Sequence, residues 1–342
     1  MSSPIVTGLL AYGMSGRLFH APFLTTHPGF KLKAVVERNQ KKMAQQYPEV
    51  LSYNSIGEIL NDDEINLIVV NTPSHLHYEQ TKQALLAGKH VLVEKPATAT
   101  LPQVLELFAL AKQVNRRIFV YQNRRWDSGF LSLKEVIESG KLGKLVEVHL
   151  RYDRYRLALN AKPFKEDAEI PTSGLVYDLG PHVIDQAIAL FGPPLSWHKV
   201  TGIHRHGSVV NDYFNIQLSY PHQLKVFLTA SLMVAQPQPG FVIHGTTGSY
   251  IKDRCDVQEA QLDAGMLPTD VSYGVEPEGS EGQLITIDSN NQKQIEKVPA
   301  HKASYMDLFE AVYQTLTTGA LYPVTEEQIA WQIEILQAED NN

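Results

Sequence analysis

The first third of the chain alternates short, continuous apolar runs with segments of helical period, and the first run breaks into glycines. Pro4–Ala11 reads as a buried strand ending in a glycine-rich turn, and residues 15–24 open a helix. Further strands are expected at 30–37, 65–71, 90–94 and 117–121, with helices at 41–47, 78–87 and 102–115 between them. Gly88 stops one of these helices, and Pro102 sits in the first turn of the next. Strands that are apolar throughout, alternating with helices, mean βαβ units around a parallel sheet. Few other architectures accept that pattern.

Past residue 122 the period changes. Residues 145–153, 212–220 and 224–230 alternate apolar and polar, and 241–246 and 283–287 look similar. One wet face and tight turns such as Pro221-His-Gln indicate a mostly antiparallel sheet. A strong helix at 175–191 precedes most of these strands. Others are expected at 130–139, 304–317 and 325–338, and a long loop at 268–282. The fold class is therefore α/β. Residues 1–122 form a doubly wound parallel domain, and residues 123–342 an α+β domain with a large, open sheet. The 342 residues suit two domains at about 150 residues each.

Composition excludes several classes. Hydrophobic residues are 43% and charged residues 20%, which is globular usage rather than disorder. Net charge is -7 with no basic run beyond pairs such as Lys41-Lys42, so no nucleic-acid stripe is present. The single cysteine, Cys255, excludes an internal disulfide and a multi-cysteine zinc site, and favours a reducing, cytoplasmic setting. No run approaches the roughly 18 apolar residues of a membrane span. Residues 5–12 lack the basic start of a signal peptide.

The first strand runs through Gly8 into Ala11-Tyr12-Gly13-Met14-Ser15-Gly16. Between a strand and a helix, G-x-G-x-x-G is the dinucleotide fingerprint of a Rossmann domain. Gly13 stands where the backbone approaches the pyrophosphate and Gly16 where helix and strand pack closely, with the helix N-terminus facing the anion. Ala11 departs from the pattern and is accepted only if its φ stays negative. Glu37 follows Gly16 by 21 residues, where a carboxylate reads the adenosine ribose and favours NAD. Arg38 comes directly after it and suits a 2′-phosphate, which favours NADP. NAD and NADP both remain open.

The strand at 90–94 ends in Glu94-Lys95-Pro96, and that at 65–71 runs on into Thr72-Pro73. Ligands of such sheets lie outside the carboxyl ends of the strands. Lys95 is thereby aimed at a cleft, and Thr72 and Pro73 line it. His77 is a helix-start residue beside them. His75 and His77 have no carboxylate or cysteine partner in the pattern, and no metal is expected.

These motifs, with Asn123-Arg-Arg-Trp-Asp127 and Tyr177-Asp-Leu-Gly-Pro-His182-Val-Ile-Asp185, resemble the Gfo/Idh/MocA oxidoreductases over essentially the whole chain. The match is to the branch holding NADP-dependent scyllo-inositol dehydrogenases. Asp178 and His182, four apart, share one helix face; alone, such a pair is an ordinary helix ion pair. The resemblance implies that Lys95, Asp178 and His182 are the catalytic group. His182 would be acid/base, Lys95 the substrate and cofactor anchor, and Asp178 a substrate-hydroxyl acceptor. Asn123, Arg124, Trp126 and Tyr155 suit a sugar pocket, and arginines at a junction equally suit pinning two domains.

The resemblance implies NAD(P) as cofactor, a small polyol or sugar as substrate, and a homodimer or homotetramer covering the open sheet face. The alternatives are a non-catalytic dinucleotide-binding sensor of the same fold, or a dehydrogenase for another small carbonyl compound.

Overall fold

The computed structural model describes residues 3–341, which divide into two compact units. The first takes residues up to Asn123 together with Gln258–Tyr273 and Ser304–Ala330. Its six strands are β1 (Ile5–Leu9), β2 (Phe30–Val36), β3 (Leu51–Tyr53), β4 (Leu67–Val70), β5 (His90–Glu94) and β6 (Ile118–Tyr121). They stand in the order β3-β2-β1-β4-β5-β6, every pair parallel. The chain winds outward from β1 in one direction and then, through β4, in the other. A crevice opens at that reversal, beyond the carboxyl ends of β1 and β4. All four side chains of β4 are fully buried, as the continuous apolar run requires.

The sequence reading expects five strands here, and the sixth is β3. It has three residues, none buried, and so carries no apolar run to announce it. The segments from the C-terminal part of the chain are a second difference, because the sequence reading places 258–273 and 304–330 with the second domain. Aromatic packing explains the difference. Phe309, from helix Met306–Thr318, lies flat on Phe23 with ring centres 5.1 Å apart. Tyr305 and Tyr273 close on the same Phe23 ring edge-on or tilted.

The second unit takes Arg124–Val257, Gly274–Ala303 and the residues from Trp331. Its eight strands are β7 (Leu145–Asp153), β8 (Ser196–Gly202), β9 (Tyr213–Ser219), β10 (Lys225–Ser231), β11 (Phe241–Gly245), β12 (Gly248–Lys252), β13 (Gly282–Ile287) and β14 (Lys293–Val298). The order is β14-β13-β12-β11-β7-β10-β9-β8, and β7 with β10 is the parallel pair in an otherwise antiparallel sheet. The long helix Gly174–Phe191 packs against β7 and β10. Val148, Leu150 and Val226 are buried between half-exposed neighbours, which is the expected alternation, while β10 is buried throughout from Leu228 to Ser231. β9 and β10 join through Pro221–Gln223, where His222 and Gln223 take positive φ of 61° and 66°. Among the described residues, no helix is long and apolar enough to cross a membrane.

Candidate active site

In the first unit the site is built around the turn that leaves β1. Ala11 donates its N–H to Asn71 Oδ1 at 3.0 Å and accepts from Asn71 Nδ2 at 2.8 Å. This two-point clasp, from the residue just past β4, holds the turn against the neighbouring strand. Ala11 is absent from the positive-φ residues, so it meets the condition for replacing the first glycine. A Cβ on Gly16 would stand 2.3 Å from the Ala11 carbonyl oxygen, so glycine is required there. A Cβ on Gly13 would meet nothing within 4 Å, which leaves the backbone open to a large anion. Beside Gly13 lies a cleft of about 420 Å³ lined by Tyr12, Gly13, Met14, Arg17, Lys42, Gln45 and Gln46. Open backbone, cationic walls and a glycine that cannot be replaced fit a dinucleotide. Burial, with help from Tyr47 and Glu37, pushes the Tyr12 hydroxyl up to about 12, and it donates to Gln46.

Three of the candidate cofactor residues make contacts within the protein frame. Gly8 faces Ile59 and Ile65, and a Cβ there would come within 2.7 Å of Ile59, so its smallness serves strand packing. His77 is buried, with Nδ1 2.8 Å from the Pro96 carbonyl and Nε2 2.9 Å from the Thr72 carbonyl. Burial lowers its pKa against the pull of these two carbonyls, and the ring sits between the chain segments that follow β4 and β5. Glu37 has its carboxylate bonded to main-chain N–H groups and to Ser52 and is 7% exposed.

At the end of β5, Lys95 is half-buried. Glu94 beside it accepts from Ser15 Oγ at 2.7 Å and lies 2.9 Å from His20 Nε2. Burial alone would raise the Glu94 pKa; His20, Ser15 and the Lys95 charge overcome it and hold the carboxyl at about 2. Glu94 thus stands as a fixed anion beside Lys95. Thr72 bonds Gln80, and Thr72 and Pro73 are half-buried at the strand end. Asn71, Ser15 and His20 are contributors that the sequence reading does not assign. A β-strand ending in Asn opposite a glycine turn is the signal that marks Asn71.

In the second unit, helix Gly174–Phe191 begins where Asn211 receives the N–H groups of Leu175 and Val176, both at 2.8 Å. One turn in, Asp178 pairs with Lys165 at 2.7 Å. One further turn places His182 with its ring stacked on Tyr152, centres 6.4 Å apart. The same tyrosine ring gathers three guanidinium groups: Arg254 at 4.4 Å, Arg154 at 5.1 Å and Arg124 at 5.8 Å. Such stacking is favourable because the ring face is electron-rich. Asp127 and Asp256 lie 3.4 and 3.9 Å from Arg124, and Asp127 3.7 Å from Arg254. Asp185 takes a two-pronged bond from Arg125 at 2.7 and 2.8 Å. Burial raises its pKa against the pull of Arg125.

Of the remaining candidates, Asn123 is buried at the end of the first unit, Trp126 is half-buried, and Tyr155 is 59% exposed, in an isolated bridge to Met233. Lys165 and Arg254 are missed by sequence, because each lies in an irregular segment with no period. Among the described residues, no three His, Cys, Asp or Glu side chains are grouped to hold a metal ion.

Comparison with known proteins identifies the family. Residues 6–122 match the model of the oxidoreductase family with NAD-binding Rossmann fold, and residues 130–251 match the GFO/IDH/MocA C-terminal domain. The chain belongs to the Gfo/Idh/MocA oxidoreductases. It is similar to an uncharacterized oxidoreductase, C115.03, of Schizosaccharomyces pombe, at 37% identity over 98% of this chain and 96% of the relative. It is also similar to the scyllo-inositol 2-dehydrogenase (NADP(+)) IolW of Bacillus subtilis, at 35% identity over 98% and 92%. A crystal structure of an oxidoreductase from Bacillus cereus superposes with a TM-score of 0.90 at 33% identity, covering 97% of this chain and 96% of that one. This member of the Gfo/Idh/MocA family is therefore an NAD(P)-dependent oxidoreductase.

Proposed function

We propose that this Gfo/Idh/MocA oxidoreductase interconverts a secondary hydroxyl and a ketone on a cyclic polyol or sugar, with an inositol and its inosose as the first pair to try. The observation that carries this reading is the helix Gly174–Phe191. It presents a carboxylate, Asp178, and an imidazole, His182, one turn apart, with the His182 ring facing Tyr152 at 6.4 Å between centres. The similarity to a named scyllo-inositol dehydrogenase supports the substrate class.

Bound NAD(P) supplies the hydride acceptor or donor. His182 takes the hydroxyl proton as the carbon is oxidised, or returns it in reduction. Lys95 donates to the reacting oxygen and, being cationic, favours the developing alkoxide. Asp178 accepts from a neighbouring substrate hydroxyl, and its ion pair with Lys165 orients it. Asn123, Arg124 and Trp126 belong to the same reading as donors and an aromatic face for a polyol. So do a cytoplasmic setting and a homodimer or homotetramer built on the sheet face that carries the stacked pair His149–Phe227. Light scattering tests the assembly.

The deciding experiment is a panel of cyclic polyols and inososes assayed with NAD(H) and NADP(H), run on the wild type and on Lys95→Ala and His182→Ala. Turnover on one or more of them, lowered about 100- to 10,000-fold by each substitution with cofactor binding kept, is the expected result. Cofactor binding with no turnover on any member would move the reading to a dinucleotide sensor.

A further inference from the structure

A carboxylate at the end of the second strand of a dinucleotide-binding fold ordinarily accepts from the adenosine ribose hydroxyls, and so selects NAD against a 2′-phosphate. Glu37 stands in that position, but its oxygens are already occupied. Oε1 accepts from the N–H of Lys42 at 2.8 Å and of Met43 at 3.2 Å. Oε2 accepts from Ser52 Oγ at 2.5 Å and shares the Met43 N–H at 3.3 Å. A carboxylate offers about four lone-pair directions, and these contacts use them. Lys41 closes the same turn from outside, donating to the Glu37 carbonyl at 2.6 Å and to Asn54 Oδ1 at 2.8 Å. The acid is folded inward as the cap of the short helix Met43–Gln46 and as the partner of β3.

What remains outside is cationic. Arg38, the next residue, is exposed and makes no hydrogen bond or ion pair with any described residue. Lys42 and Arg17 line the 420 Å³ cleft beside Gly13, Arg17 being ion-paired with Asp263 at 3.0 Å. No acidic side chain lines that cleft. We propose that Glu37 does not read the ribose, that the cleft takes the 2′-phosphorylated dinucleotide NADP(H), with Arg38 and Lys42 binding the phosphate, and that Ser52 sets this preference by keeping Glu37 turned in. The proposal rests on the reading of this cleft as the NAD(P) site. It adds the choice between the two dinucleotides and the residue that sets it.

The test is direct binding, followed by nicotinamide fluorescence or calorimetry with NADPH and NADH on the full chain, independent of any substrate. The wild type should bind NADPH at least about tenfold tighter than NADH, which corresponds to about 1.4 kcal/mol. Arg38→Ala should weaken NADPH about tenfold and NADH less than about twofold, as loss of a phosphate contact requires. Ser52→Ala should narrow the ratio, because it frees an oxygen of Glu37 to turn outward. Retained NADH binding shows that each variant is folded. Comparable affinity for the two dinucleotides in the wild type, or an Arg38→Ala loss equal for both, would overturn the proposal while leaving the cofactor site intact. An unchanged ratio in folded Ser52→Ala would remove Ser52 from it. Binding of neither dinucleotide would sink the cleft as the NAD(P) site, and the proposal with it.

Discussion

At the scale of single residues, two ion pairs make distinct predictions. Lys165, the last residue of the short 3-10 turn Pro163–Lys165, pairs with Asp178. Lys165→Ala should lower kcat/KM by about tenfold to a hundredfold through misplacement of the carboxylate, with little change in thermal stability because the pair is partly exposed. Lys165→Arg should recover most of the loss; a variant that behaves no better than alanine would refute the positioning role. Glu94 predicts a pH effect. Its carboxyl lies at about 2 in the folded chain against an ordinary 4.5. A lowered folded value stabilises fully above the unfolded value and is lost as pH falls through the folded one. Stability on the order of 3 kcal/mol should therefore drain between pH 4.5 and 2, and urea unfolding of Glu94→Gln should show a shallower fall over that window. The strand-end place of Lys95 and the shared helix face of Asp178 and His182 were legible in sequence, while a catalytic role for them came only from the family resemblance. Glu37 was legible in position but not in role. Whether a carboxylate points out to a ribose or in to Ser52 depends on a three-residue strand with no apolar signature.

At the scale of elements, the turn after β1 shows how a glycine pattern becomes a binding surface. Gly16→Ala would drive a methyl group into the Ala11 carbonyl and the Asn71 amide. The expected outcome is loss of dinucleotide binding and a lowered unfolding midpoint, seen by titration and by calorimetry; binding at wild-type affinity would show the turn to be more forgiving than its geometry. β4 and β5 were readable as continuous apolar runs, and β7, β9 and β10 because their alternation is long enough to see. β3, β8, β12 and β14 were not. β14 reads Lys-Gln-Ile-Glu-Lys-Val, almost wholly exposed, and alternates nothing against a core. Such edge strands are specified by partners across the sheet and by charged residues that discourage further pairing.

At the scale of the whole molecule, the units do not follow the order of the chain. The helix Met306–Thr318 shows an apolar face in sequence, but its pattern does not say which core receives it. Phe309, fully buried on Phe23, decides that. Phe309→Ala should cost about 3–5 kcal/mol and weaken cofactor binding along with stability. A fragment ending at Gln122 should leave Phe23, Phe30 and Tyr121 without their cover, bind hydrophobic dyes and melt without a cooperative transition. A sharp melt at the wild-type midpoint would contradict the shared aromatic core.

That shared core also orders events during synthesis. The strands of the cofactor unit leave the ribosome first, yet Phe309 and Tyr305 follow Gln122 by nearly two hundred residues. At about 5–20 residues per second this is a delay of about 10–40 s in which the aromatic face of the nascent sheet stands open. The half of the protein that begins first is thus completed almost last, and that interval is when a chaperone has most to protect.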